Sequence, residues 1–284
     1  MMSFADRINA CNNADTSGYL PFIIDGRQVG WLKPGFADEL SAWPELFIHE
    51  RNTIRLSPDL AEFEQRSEAV DSVIRALVSA GVIDHYLSEP YPVTPGSRDH
   101  AMMVIDRSSA AYFGIRCFGQ HLNGYVRQDT GLHLWIARRA RDRRIFPGRL
   151  DNLVAGGLPW HTGLHENLLK ECMEEAGMPA ELAASSVPVG EVSYLAETVK
   201  GIKPDILYCY DLELPATFMP VCTDGEVESF ELMPVEAVKE IVRESEEFKP
   251  NCNLVIIDFL VRHGLLDAGD GDPDGLAGAL RRAL

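Results

Sequence analysis

The sequence predicts an α/β (α+β) chain, a sandwich of helices around a mixed sheet preceded by a small α+β N-terminal domain. Three observations carry this. At 284 residues the chain exceeds one average domain and can bury two cores. The run Ser88 to Arg98, SEPYPVTPGSR, holds three prolines and a glycine, which suits a connection better than an element interior. Beyond it short apolar strands alternate with helical segments, the pattern of helices packed on one sheet. The boundary is therefore placed near residue 97, giving units 1–97 and 98–265 and a flexible acidic tail over 266–284.

In the first unit, Leu20 to Lys33 reads as a hairpin turning at Asp25-Gly26. Pro34 to Ala42 and Leu60 to Ala80 read as helices. In the second of these Val70, Ile74, Leu77 and Val78 fall at helical spacing, and Gly81 supplies the stop. In the second unit Ala101 to Ile105, Ala111 to Phe118 and Leu132 to Ala137 are short and apolar, as in an antiparallel sheet. Leu150 to Ala155 is a further strand. Leu164 to Ala176 is helical, and Val189 to Leu195, Asp205 to Leu212 and Gly225 to Leu232 return to strand character. Pro234 to Ser245, with Pro at its start, and Asn253 to His263 close the unit as helices. The tail, DAGDGDPDG followed by LAGALRRAL, reads as an acidic spacer with a weak terminal helix.

Composition narrows the function. Asp and Glu outnumber Lys and Arg by 43 to 26, a formal net charge of -17, so the surface repels nucleic-acid backbones and anionic membranes. A small anionic substrate remains compatible where a divalent cation reverses the local potential. The six cysteines show no C-x-x-C spacing and read as reduced, mostly buried thiols. The first fifteen residues lack an apolar h-region and the apolar run around Leu254 to Val261 is too short to span a bilayer, so a cytoplasmic enzyme is expected.

The chemistry concentrates in Ala155 to Gly177, AGGLPWHTGLHENLLKECMEEAG. On a helix, positions i, i+3 and i+4 share a face, so Glu171, Glu174 and Glu175 bring three carboxylates together. Leu164, Leu168, Cys172 and Ala176 form a separate stripe that can pack on the sheet and aim the acidic face. Three clustered carboxylates repel one another unless a cation neutralises them. Mg²⁺ or Mn²⁺ suits oxygen ligands and shares its coordination with substrate phosphates. Gly156-Gly157 after the strand lets backbone approach a metal or phosphate, and Gly177 closes the helix.

This segment resembles the Nudix box, G-x5-E-x7-R-E-U-x-E-E-x-G-U, where U is aliphatic. Gly156, Glu171, Glu174, Glu175 and Gly177 match at the family spacing. Five such matches arise by chance in a chain this long on the order of a few times in ten thousand. Thr162 replaces the upstream glutamate, Lys170 the arginine, and Cys172 and Met178 stand at the two aliphatic positions. Lysine cannot copy the bidentate hold of arginine on a carboxylate, so the departures bear on how the glutamates are oriented. The run DNLVAGGLPWHTGLHENLLKECMEEAG, its lead-in Phe146 to Leu150 and the N-terminal domain are similar to a thiamine-pyrophosphokinase-related Nudix branch, which carries an extra N-terminal domain of unknown function. The resemblance implies a Nudix α/β/α sandwich and hydrolysis of a small nucleotide-like or thiamine-diphosphate-like substrate, a damaged or oxidised form included, to a monophosphate and phosphate. It also implies Mg²⁺ (or Mn²⁺) at Gly156, Glu171, Glu174 and Glu175, the three glutamates being the catalytic set.

Other candidates lie outside that set. Trp160, inside the glycine loop, is a substrate-stacking candidate. Arg138, Arg139, Arg141, Arg143 and Arg144 follow a strand at what reads as an exposed hairpin tip, with Arg144 the candidate phosphate contact; Glu228, in the run EVESFEL, is a candidate from across the sheet. His161 and His165 read as exposed. The N-terminal domain suits either one wall of the pocket or a homodimer contact. The alternative to an enzyme is a non-catalytic Nudix-like binding or regulatory module, against which the three retained glutamates argue.

Overall fold

The computed structural model describes residues 2–284. Helix α1 (Phe4–Ala10) starts on a capping box between Ser3 and Asp6. It is followed by β1 (Leu20–Ile24) and β2 (Arg27–Leu32), the expected hairpin. Its turn residues Asp25 and Gly26 both have positive φ, 48° and 73°, as a tight hairpin turn requires. Helix α2 (Pro34–Leu40), strands β3 (Phe47–Glu50) and β4 (Thr53–Leu56) and helix α3 (Phe63–Ser79) complete a four-stranded sheet of order β2-β1-β4-β3 with α3 against its core.

The proline-rich run is not merely a connection. It contains β5 (Pro90–Val93), which pairs antiparallel with β6 (Met103–Asp106) across the expected boundary at residue 97. Met103, Ile105, Phe113 and Ile115 belong to the same core as Phe22, Leu32 and Ile74. The expected strand Ala111 to Phe118 is corrected as well: helix α4 (Ala110–Phe113) ends at Gly114, and the strand begins only at Cys117. Gly114 has φ 59°, and a Cβ there would lie 2.2 Å from the Trp31 carbonyl oxygen, so the chain turns at the one residue that fits.

The second sheet is mixed. β7 (Cys117–Gln128), β8 (Gly131–Arg139), β9 (Leu150–Asp151), β10 (Val154–Gly157), β11 (Val187–Glu197), β12 (Ile202–Glu213) and β13 (Val227–Pro234) pair in the order β11-β12-β7-β8-β13, with β10 added to β7 and β9 to β8. β7 and β12 run parallel and β7 and β8 antiparallel, so the sheet is mixed, as expected. The strand expected over Leu150 to Ala155 is two strands, because β7 forks. Its first half pairs with β10 and its second half with β8, and Asn152 and Leu153 sit between.

Helices cover both faces. α5 (Leu164–Ala176), with α6 (Ala180–Ala183) after it, packs Leu168, Cys172 and Ala176 against Leu122, Val126 and Leu153. α7 (Val235–Glu244) and α8 (Pro250–Arg262) cover the opposite face with Val238, Val242, Leu254 and Ile257, joined by Phe4 and Ile8 of α1. The tail carries the expected helix but packs on the domain. α9 (Pro273–Ala279) follows α8, and Leu276 and Leu280 are buried in that core. Asp270, also buried, pairs with Lys239 (3.3 Å) and Arg243 (3.1 Å). Acidic composition suggested a solvated spacer, but two leucines and one paired aspartate hold it down.

Candidate active site

The site forms where β10 faces α5. Along β10, Gly156 turns toward the helix and Gly157 away from it, as strand alternation requires. A Cβ at Gly156 would lie 2.4 Å from Glu171 Cδ, so the absent side chain is the space that Glu171 fills. Glu175 is 6% exposed and accepts a bond from the Ala155 backbone N–H (2.8 Å). Glu174 lies toward solvent, and Lys170 bridges it (2.7 Å) to Glu171 (3.2 Å). Leu168, Cys172 and Ala176 anchor the buried stripe, whereas Leu164, expected in it, is exposed. Gly177, φ 60°, closes α5 with its N–H bonded to Met173 O, and a Cβ there would meet the Val221 carbonyl oxygen at 2.7 Å.

The electrostatics follow from this burial. Desolvation pushes the Glu175 carboxyl up to about 8, against the pull of the Ala155 N–H, and the neighbouring acids Asp151, Glu171 and Glu226 add to the rise. Glu171 is also raised, first by burial, with Lys170 pulling it back. Glu171, Glu174 and Glu175 share one end of the helix, and the half-exposed Lys170 is the cation that pairs with them, through Glu171 and Glu174. The donor set is hard oxygen, anionic and short of positive charge, which fits a divalent cation of the Mg²⁺ type.

Glu226, which sequence reasoning missed, is the nearby acid on the β13 side. Arg143 holds it at 2.6 Å. Glu228, the residue chosen from the alternating pattern, is exposed and pairs with Arg141 at 3.2 Å. The physical reason is the irregularity between Val227 and Ser229, which removes Glu228 from the ladder and breaks the alternation on which its choice rested. The arginine-rich tip is mostly committed to ion pairs: Arg138 with Glu247 and Arg139 with Asp151 join the two already given. Arg144 is exposed, and its charge adds to the burial that holds His85 below its ordinary value.

Trp160 packs toward the N-terminal unit. Its ring lies 5.8 Å from that of Phe63 in α3, and its backbone N–H donates to Pro90 O (2.8 Å), so it joins the box loop to the N-terminal unit. Two buried amides, also unforeseen, lock strand to helix. Asn167 Nδ2 donates to Gly157 O (2.9 Å) and to Gln120 Oε1 (2.8 Å), and Gln120 Nε2 donates to Leu164 O (2.8 Å). Contacts of this kind depend on pairing between β7 and β10, which no local pattern announces.

Below the fork, His121, Asp151 and Cys252 each offer one ligand atom within 4.8 Å of the others, a possible metal-ligand group and fully buried. Asp151 is already paired with Arg139 (2.9 Å) and Lys249 (3.4 Å), and the Cys252 thiol donates to it at 2.7 Å. Burial holds the His121 imidazole down to about 4. These are the charges of a closed ion-pair network rather than of a site short of a cation. All six cysteines are unpaired, four of them buried.

Comparison with known proteins bears on these residues. Residues 3–117 match a family model described as a domain of unknown function (DUF4743), and residues 123–252 match the NUDIX domain. The chain is 41% identical to Nudix hydrolase 24, chloroplastic, of Arabidopsis thaliana and 40% identical to Nudix hydrolase 20, chloroplastic, of the same plant, in each case over 94% of this chain and 74% of the relative. It is 31% identical to the uncharacterized protein YJR142W of Saccharomyces cerevisiae, over 85% of this chain and 76% of that protein. The cytoplasmic expectation is corrected here, since the two plant relatives are chloroplastic by name. An apolar h-region reports only on secretion, and plastid transit segments are amphipathic, so its absence never bore on that alternative. Among the described residues no helix is long and apolar enough to cross a membrane.

Proposed function

Since this chain belongs to the Nudix hydrolase family and is a phosphohydrolase, we propose that it cleaves the diphosphate bond of a small nucleotide-like or thiamine-diphosphate-like substrate, damaged or oxidised forms included, in the presence of Mg²⁺. The observation that carries this is the convergence of Glu171, Glu174 and Glu175 beside a glycine whose missing side chain admits one of them. In this reading Glu171, Glu174 and Glu175, with the Gly156 backbone, hold the cation. When bound, Mg²⁺ supplies the positive charge that the diphosphate oxygens and the developing transition-state charge require.

The chain's own residues do the rest. Glu175 is kept in place by the Ala155 N–H, and Glu171 by the space over Gly156. A carboxylate of this cluster not engaged as a ligand accepts the proton of the attacking water. Water adds to one phosphorus, the bridging P–O bond breaks, and a monophosphate and phosphate leave. Lys170 balances part of the negative charge before the substrate arrives. The same reading divides the chain near residue 117 rather than 97, where the N-terminal core ends.

The test is phosphate release, followed by phosphorus NMR, across nucleoside diphosphate derivatives, thiamine diphosphate and its oxidised analogues, with Mg²⁺ and with EDTA. Metal-dependent splitting of at least one diphosphate is expected, and Glu174→Gln should abolish it with little change in melting temperature. Binding without turnover across the whole panel, or full activity in that variant, rejects the proposal.

A further inference from the structure

The loop between β10 and α5 is gripped from the N-terminal unit. Arg98, 7% exposed, aims a single Nη2 at three backbone carbonyls of that loop: Pro159 (2.7 Å), Thr162 (3.1 Å) and Trp160 (3.3 Å). The Trp160 contacts to Phe63 and Pro90 reinforce the grip. At the β10 end, a Cβ on Gly157 would lie 2.2 Å from the Tyr91 hydroxyl and 3.0 Å from Arg107 Nη1, so the N-terminal unit seats directly on the box strand. Arg98 is itself braced. Thr94 Oγ1 donates to Ser97 O (2.9 Å), the Gly96 N–H to Thr94 Oγ1 (3.1 Å), and Arg116 Nη1 to Gly96 O (3.0 Å).

The place gripped is the one where α5 lacks a local anchor. Its N-cap is Gly163, which makes no side-chain cap bond, so the direction of the first turn is fixed from outside the cap, by the Gln120 and Asn167 amides on the sheet side and by Arg98 on the loop that enters it. Glu171, Glu174 and Glu175 lie two to three turns further along that helix, and an altered entry angle displaces all three together. Displacement of about 1 Å is enough to lower a rate roughly 100-fold.

We propose that Arg98 is a positioning residue for the hydrolase, through which the N-terminal unit sets the orientation of the glutamate helix. The proposal rests on the hydrolase reading given above. It accounts for why the two units meet at this loop, and it gives a role to the proline-rich run that the reaction does not otherwise use.

The full chain with Arg98→Ala, and separately Arg98→Lys, tests it. We expect kcat to fall about 10- to 100-fold in Arg98→Ala with KM within about threefold. Guanidinium ion at millimolar concentration should restore part of the loss and ethylammonium none, a pattern that general destabilisation does not produce. Backbone amides of residues 158–164 should exchange hydrogen at least tenfold faster, while those of β7 and β12 stay protected. Wild-type kcat in Arg98→Ala, or unchanged exchange in the loop, overturns the proposal. If Arg98→Ala does not fold, Arg98→Lys decides by the same kcat and exchange criteria. If the wild-type chain splits no diphosphate, the hydrolase reading fails on its own; Mg²⁺ affinity then replaces kcat, a tenfold weakening supporting the role of Arg98 and an unchanged affinity overturning it.

Discussion

Glu171 occupies the space that a side chain at Gly156 would take, with its Cδ 2.4 Å from where that Cβ would stand. The atoms in the way are the far end of a flexible side chain, so Gly156→Ala moves the carboxylate and leaves the backbone in place. The variant should melt within a few degrees of wild type while Mg²⁺ affinity falls on the order of tenfold or more. Calorimetric titration with Mg²⁺ checks this, and an unchanged affinity removes Glu171 from the cation site.

Glu175 makes the metal-free protein sensitive to base. Its folded-state value of about 8 stands above the ordinary 4.5. Between those values the unfolded chain has released the proton and the folded chain has not, so stability falls as pH rises through that window. Denaturant midpoints in EDTA should decline from about pH 5 to pH 8, and Glu175→Gln should flatten the decline. A slope identical in the two proteins counts against the assignment.

His121 acts in the opposite direction and at lower pH. Its folded-state value of about 4 lies below 6.5, so it is neutral when folded while the unfolded chain takes up a proton. Its contribution is whole above 6.5 and is lost as pH falls toward 4, amounting to roughly 3 kcal/mol. Comparing acid unfolding of wild type and His121→Gln measures it, and the variant should show the shallower dependence.

Lys170 competes with a cation for Glu171 and Glu174, which it holds at 3.2 and 2.7 Å. Lys170→Met should therefore bind Mg²⁺ several-fold more tightly, the lysine being half exposed and its attraction partly screened. Weaker binding in this variant would mean that the lysine orients the carboxylates more than it competes for them.

The C-terminal segment offers a stability test without reference to chemistry. Leu280 is fully buried, so Leu280→Ala should destabilise the chain by about 3 kcal/mol in denaturant titration, where a solvated tail would give no change.

What could be read from residues in order was whatever depends on neighbours along the chain. The three glutamates share a face because a helix repeats every 3.6 residues, and Gly177 ends it because glycine tolerates a positive φ. The hairpin at Asp25-Gly26 and the helix of residues 63–79 are local in the same sense. Contacts between distant segments were not legible. The β7 fork places Gly156 against Glu171, an irregularity in β13 removes Glu228 from the alternating pattern, and Arg98 reaches across 61 residues to Pro159. Two leucines bury a tail whose acidic composition suggested solvent. Local periodicity acts within a turn or a strand and is written in spacing. Pairing between strands and packing between units arise only when the whole chain folds and bury surfaces that no short segment contains, which is why the acidic helix could be anticipated and the surroundings that orient it could not.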